Sequence, residues 1–432
     1  MACEIPNALR EILHLHVGSA GIEIGNQCWE LYCLEHNLDV DGRIAAEQSQ
    51  DVPPKCFFLE WNADTRKKYR PQALFVDVDS SAIDNVKTSK YRNLYTDSQF
   101  FTSTDSCSLI LDGIRKQVEV YDNFQGFALF HSTYGTCSSF TSQLLKNLTS
   151  EYSKKITITN SVFGSSVNAS SMYNLLKYAH VVIPMENKAI YSLCKQRLDI
   201  DTPTYSNVNK LIAMCWSNIT CSMRFDGYIL ADLNEFQTTL VPYPAMKMLS
   251  SYLLPLIPFS FSTHTNFISP SVYDMCTPLF SQPNTCFIHQ FTPYKMTLAV
   301  NLLFRGENIV PKEVGQKLIM DMKKWWRFSD GTPTGFRCGI NYQRTYIFGD
   351  KSDVALTDKQ VCVLANQTAT SKHLCETSLN QCDKFTKDEE EQTEVIEAHD
   401  YLQGLRADYQ QIETEIIQDH ELDMTTSFVS EN

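Results

Sequence analysis

The sequence predicts an α/β protein built on a mostly parallel sheet with helices on both faces. Two observations lead there. Short apolar segments recur through the first half, each followed by a segment with helical spacing. The second of them, ALFVDVD, is apolar nearly throughout, which is the pattern of a strand buried on both faces.

Residues 13–17 read as the first strand, running into Gly18-Ser19-Ala20-Gly21. Gly25, Trp29, Tyr32, Cys33 and His36 then recur on one helical face. ALFVDVD (73–79) is the second strand and turns acidic at Asp77 and Asp79. Residues 127–131 are the third, followed by a loop of small residues (132–139) and a helix from Phe140 that carries Leu144, Leu145 and Leu148 on one face. Residues 181–184 are a fourth short strand. Residues 205–225 read as a long amphipathic helix, with Val208, Leu211, Ile212, Cys215 and Ile219 on its apolar side, joining a first domain to a second. A shorter helix follows at 232–240. Between 242 and 350 strands mix with prolines and aromatics, and TLAVNLLF (297–304) and TGFRCGINY (334–342) are the clearest strands. Beyond the acidic run 388–391 the chain reads as a polar helix with sparse apolar positions Val395, Ile396, Leu402 and Leu405, fraying over 425–432. The expected domains are 1–204, 205–225 (the connecting helix), 226–365 and 366–432.

A chain of 432 residues exceeds a single compact core. The formal net charge of −13 argues against nucleic acid as a direct partner and for a basic protein surface. The most apolar stretch, 252–259, is short and broken by prolines, so no membrane span is expected. Glu4, Arg10 and Glu11 stand where a signal peptide needs an apolar core. The 15 cysteines form no CxxC pair and read as free thiols of a reducing cytosol in preference to zinc ligands or a disulfide framework. His14 and His16 share a strand face, but no third metal ligand is placed and packing is the stronger reading.

In parallel sheets ligands bind outside the carboxyl ends of the strands. The loops 18–21, 77–81 and 132–139 fall there. Their small residues let backbone N–H groups approach an anion, and helix N-termini add favourable partial charge. A phosphate ligand is the expectation. By spacing alone, Asn187 at a strand end reads as a turn residue, Tyr205 as packing, Asp77 and Asp79 as a solvated strand end, and Glu235 as a solvated helix face.

A series of segments resembles α-tubulin, of the tubulin/FtsZ family. They are HVGSAGIEIGNQCWELYCLEHNLDVDG (16–42), ALFVDVD, GIRK (113–116), LDIDTPTYSNVNKLI (198–212), RFDG (224–227), DLNEFQTTLVPYP (232–244), LLFRGENIVPKEV (302–314), PTGFRCGINYQ (333–343) and VCVLANQTA (361–369). They run in family order over nearly the whole chain, which is far more specific than one motif. The resemblance implies a Rossmann-like GTPase domain, a central helix, an α+β intermediate domain and a C-terminal helical region. It implies GTP with Mg²⁺ as ligands and head-to-tail assembly with a β-tubulin-like subunit in the microtubule lattice of the cytoplasm. Gly18, Ser19 and Ala20 match the first phosphate loop, and Ser132, Gly135, Thr136 and Ser138 the signature phosphate loop. Asp77 and Asp79 match the magnesium side, and Asn187, Tyr205 and Asn209 the guanine side. Glu235 matches the catalytic glutamate that an α subunit presents to the nucleotide of its neighbour. That match, with the length of 344–353, favours α over β.

The departures fall mainly on the phosphate side. Tyr134, Cys137 and Ser139 replace glycines of the signature loop, where a Cβ obstructs close backbone approach. Ser19 replaces a glutamine. A shortening between 95 and 113 removes a phosphate loop. Another, between 156 and 180, trims the ribose loop and sets Ser171 where a ribose-binding glutamate belongs. Residues 380–392 are acidic, and the tail reads DMTTSFVSEN. The expected function is therefore a structural α-like subunit with a weakened GTP site. The alternatives are a non-polymerising binding or capping module and, least supported, an autonomous GTPase.

Overall fold

A computed structural model describes residues 10–44, 56–63, 66–102, 107–164, 167–225, 227, 232–262, 270–281, 285–289, 295–307, 309–314, 316–328, 336–348, 353–382 and 389–429. The first half runs β1 (Glu11–Val17), α1 (Gly18–Glu35), β2 (Phe58–Ala63), β3 (Arg66–Pro71), β4 (Ala73–Val76), α2 (Ser80–Thr88), β5 (Phe100–Phe101), α3 (Cys107–Val118) and β6 (Phe124–Ser132). It continues with α4 (Cys137–Glu151), β7 (Ile156–Phe163), α5 (Ala169–Tyr178), β8 (Val181–Glu186) and α6 (Asn187–Arg197). Six of these strands form one sheet in the order β5-β4-β1-β6-β7-β8, and every pairing is parallel.

The apolar runs have the physical reason anticipated for them. Leu13, Leu15 and Val17 of β1 enter one core with α3, α4 and α5. Ile12 enters another with α1, α2, α6 and the following helix α7 (Tyr205–Arg224). With both faces covered, all of β1 and all of β7 is buried. Strand β7 carries no apolar run, since ITITNSVF mixes polar and apolar residues, and sequence pattern passes over it. The second strand ends at Val76, leaving Asp77 to Asp79 in the turn before α2.

Helix α7 corrects the amphipathic expectation. It is buried on every side from Leu211 to Arg224. The reason is a second layer, formed by α8 (Leu233–Leu240), β9 (Ser250–Leu254), α9 (Phe259–Ser262), α10 (Val272–Cys276), α11 (Pro278–Ser281), β10 (Lys295–Gly306), α12 (Gln316–Trp325), β11 (Trp326–Phe328), β12 (Phe336–Asn341) and β13 (Lys359–Gln367). Its five-stranded sheet has the order β11-β10-β13-β9, with β12 also paired to β10. Polar groups of α7 find partners in both layers. Asn218 donates to Gln360 Oε1 at 3.1 Å. Arg224 Nη1 donates to Glu35 Oε2 at 2.5 Å, Ser217 Oγ to Glu35 Oε1 at 2.5 Å, and Arg305 Nη1 to the same Oε1 at 2.7 Å. One carboxylate thus joins α1, α7 and β10. Burial alone would push its carboxyl up, but the two guanidiniums and Ser217 outweigh it and hold it at about 2.

The sheets also meet along β8, where Val182 N–H donates to Lys247 O and Leu249 N–H donates to Val182 O. Helices α13 (Thr368–Cys382) and α14 (Glu389–Val429) pack on each other and on α5. On α14, Leu402, Leu405 and Tyr409 are buried while Ile396 is exposed. This helix continues to Val429, past residue 425 where fraying was expected.

Candidate functional site

The sheet order sets the ends of β4, β1, β6, β7 and β8 side by side along one edge. The chain leaves that edge at Asp77, Gly18, Thr133, Gly164 and Asn187. Gly18 opens α1 directly after β1 with φ +73°, a conformation that favours glycine. A Cβ on Gly18 would lie 3.1 Å from Cys137 Cβ, so the first turns of α1 and α4 abut. Neither helix has a capping side chain, at Val17 or at Thr136. Two abutting, uncapped helix N-termini make a ready site for an anion.

The loop between β6 and α4 is shaped for the same purpose. Gly135 adopts φ +85°, and a Cβ placed there meets no atom within 4 Å. Ser138 Oγ donates to Gly135 O at 2.8 Å and Ser132 Oγ to Tyr134 O at 2.8 Å. Both serines thus hold the loop with their hydroxyls. Ser19 and Thr136 are exposed and Ala20 is half-buried at the same rim. The phosphate-side residues Gly18, Ser19, Ala20, Ser132, Gly135, Thr136 and Ser138 are therefore brought together, and their arrangement fits a phosphate.

Asp77 and Asp79 share the turn before α2 and are held differently. Asp79 is exposed and caps α2, its Oδ1 accepting from Ser81 N–H at 3.3 Å and its Oδ2 from Ser81 Oγ at 2.9 Å. Those bonds hold its carboxyl below the usual range. Asp77 is buried, and its Oδ1 accepts from Cys137 Sγ and from Asp79 N–H, both at 3.3 Å. Its Oδ2 is buried with no protein hydrogen-bond partner. That oxygen, beside the phosphate loop, suits a water of a hydrated Mg²⁺, and Asp77 is the residue that would hold it. No group of three or more potential ligands occurs among the described residues. His14 and His16 are buried in the aromatic core, and desolvation holds both rings neutral, His14 at about 3 and His16 well below its ordinary value.

Toward β8, the residues that match the family's guanine side are engaged by the chain's own groups. Asn187, the first residue of α6, donates from Nδ2 to Tyr134 Oη at 3.2 Å. Asn209 donates from Nδ2 to Glu23 Oε2 at 3.1 Å. Tyr205 is exposed at the start of α7, its ring centroid 6.2 Å from that of Tyr191. Glu23 escaped the sequence reading. Its signal in the sequence is an acid between Ile22 and Ile24, just after Gly18-Ser19-Ala20-Gly21, and the structure leaves it exposed. Ser171 is buried within α5. The shortened segment after Phe101 includes residues 103–106, which lie outside the described residues.

Glu235 lies elsewhere. It is the third residue of α8, capped by Asp232, whose Oδ1 accepts the Glu235 N–H at 2.8 Å. Its carboxylate is half-exposed, and both oxygens accept from Arg337 Nη2 on β12 at 3.2 Å. Leu233, at the start of the same helix, lines a small apolar cavity with Ile12 and Ile158, near the amino ends of β1 and β7. The phosphate loops leave the opposite, carboxyl ends of β1 and β6.

A parallel sheet whose carboxyl edge carries two converging helix N-termini defines an α/β protein of the nucleotide-phosphate-binding class. The model of the tubulin/FtsZ family GTPase domain matches residues 11–195. The chain is 35% identical over 392 residues to the nucleomorph tubulin alpha chain of Guillardia theta, covering 84% of this chain and 86% of that one. It is 32% identical over 450 residues to the tubulin alpha-1B chain of Physarum polycephalum, with 96% and 99% covered. It is also 32% identical over 460 residues to the tubulin alpha-2 chain of Eleusine indica. The chain belongs to the tubulin/FtsZ family and is α-tubulin-like, a subunit of the GTP-binding, microtubule-cytoskeletal kind.

Proposed function

We propose that this chain pairs with a β-tubulin-like subunit in the cytoplasm and enters a microtubule lattice. In this reading its own site holds GTP weakly, with Mg²⁺ at Asp77, and Glu235 acts on the GTP of the neighbouring subunit. The observation that carries the reading is the position of α8 at the end of the sheet opposite the phosphate loops. From there Glu235 serves a nucleotide bound to another molecule. Its chemistry would be to orient or deprotonate the water attacking a γ-phosphate, with Arg337 fixing the carboxylate.

The test is phosphate release from co-polymers containing equal amounts of wild-type or Glu235→Ala chain. Slower release with the variant supports the reading, within the roughly 10²–10⁴-fold span of general acid–base catalysis. Equal release at equal incorporation refutes a role for Glu235. The tyrosine in the phosphate loop also favours a second reading, a subunit that binds tubulin without polymerising. Substoichiometric inhibition of assembly without incorporation would establish that one.

A further inference from the structure

Tyr134 is set across the carboxyl ends of the strands. It leaves the loop after β6, passes the end of β7 and reaches the helix that follows β8. Its ring lies so close to Gly164 that a Cβ there would come within 2.9 Å of it, and its hydroxyl accepts the Asn187 amide at 3.2 Å. One side chain therefore covers the carboxyl ends of three adjacent strands. A ligand whose phosphates rest on the α1 and α4 N-termini, and whose remainder extends toward Asn187, must pass through the space this ring occupies.

The contacts are those of a held side chain. The ring is half-buried and packs against the core beneath it. Desolvation raises the phenol above its ordinary value, so it stays neutral and can both accept and donate. The backbone beneath is fixed separately, because Ser132 Oγ donates to the Tyr134 carbonyl. The side chain can thus swing out without rebuilding the phosphate loop. Gly135, the next residue, is exposed at φ +85°, so the loop keeps its anion-binding shape whichever way the ring points.

We propose that Tyr134 is a side-chain gate on this chain's own nucleotide site: in the closed position it fills the path to Asn187, and guanine nucleotide binds only with the ring turned out. The inference rests on the reading of this sheet edge as a guanine-nucleotide site. Its consequence is a ligand affinity lowered by the population of the closed state.

The experiment titrates fluorescent mant-GDP into the full chain as wild type, Tyr134→Gly and Tyr134→Phe, each matched for thermal unfolding. Tyr134→Gly should bind at least about tenfold more tightly, the scale of one hydrogen bond plus the packing of the ring. Tyr134→Phe, which keeps the ring, should stay within about threefold of wild type. Equal affinity of wild type and Tyr134→Gly overturns the gate while leaving the nucleotide reading intact. Phenylalanine binding as tightly as glycine overturns the ring as the barrier. Absence of saturable binding by every form overturns both the gate and the nucleotide reading. A second measurement needs no variant: iodination of Tyr134 in the wild type should rise when GDP saturates the site. Unchanged or reduced labelling at saturation overturns the gate.

Discussion

Replacing Glu35 with Gln would remove the one negative charge that holds α1, α7 and β10 together. The carboxylate and both guanidiniums are at most 2% exposed, so solvent screens none of the loss. Glutamine keeps the shape but leaves Arg224 and Arg305 as two buried cations without a counter-charge. Breaking a buried pair in this way typically costs about 3–5 kcal/mol, and a second stranded cation places this case at the upper end. Only about 5–15 kcal/mol separates native from unfolded states of ordinary domains, so the loss is a large share of the total. For a cooperative unit of this kind it corresponds to a fall in Tm of roughly 10 °C. Trp29 and Trp216 are buried in the layers that separate on unfolding, so intrinsic fluorescence during thermal unfolding reads the change directly. A fall of less than about 2 °C would show that the cluster is not a structural clamp and would refute the reasoning. Glu35→Gln should also remove part of the acid sensitivity at low pH, because the carboxyl held at about 2 is gone.

Burial holds His14 and His36 at about 3 and His131 at about 4, so the unfolded chain binds protons below about pH 6.5 that the native chain refuses. Stability should fall as pH drops from 6.5 toward 4, by on the order of 1 kcal/mol per pH unit per histidine, and a urea midpoint that is flat between pH 7 and 5.5 would contradict it. Gly126→Ala should destabilise by roughly 3 kcal/mol, since its Cβ would lie 2.0 Å from the Ile156 carbonyl oxygen, whereas Gly404→Ala, in open space on α14, should stabilise by about 1 kcal/mol; denaturant midpoints of the two variants should move in opposite directions. Glu235→Ala breaks a half-exposed ion pair and should shift stability by less than about 1 kcal/mol, so a fall of several degrees in Tm would make Glu235 a structural residue.

Much of the first layer was legible because burial on both faces writes itself as apolar runs. Strands β4, β6 and β8 are such runs, but the helices begin earlier than expected, α1 at Gly18 inside the expected loop 18–21 and α4 at Cys137 instead of Phe140, because where a helix starts is set by backbone geometry that small residues leave open. Strand β7 was not legible, because its Thr, Asn and Ser residues are buried only through neighbours supplied by other parts of the chain. The same holds for α7. Its apolar stripe predicts one contact surface, while its polar stripe is buried by a sheet assembled from residues 250–254 and 295–367.

The candidate site divides along the same line. On the phosphate side the expectation came from local sequence, since backbone N–H groups and a left-handed glycine are properties of a loop and the helix after it. Family resemblance brought Asn187, Asn209 and Glu235 into view, but not what each of them touches. Only the tertiary structure decided that Asn187 meets Tyr134 across 53 positions of chain, that Asn209 meets Glu23 across 186, and that Glu235 meets Arg337 across 102. Side-chain hydrogen bonds reach about 3 Å and carry no trace in sequence spacing, so these pairs exist only once the strands and helices have packed.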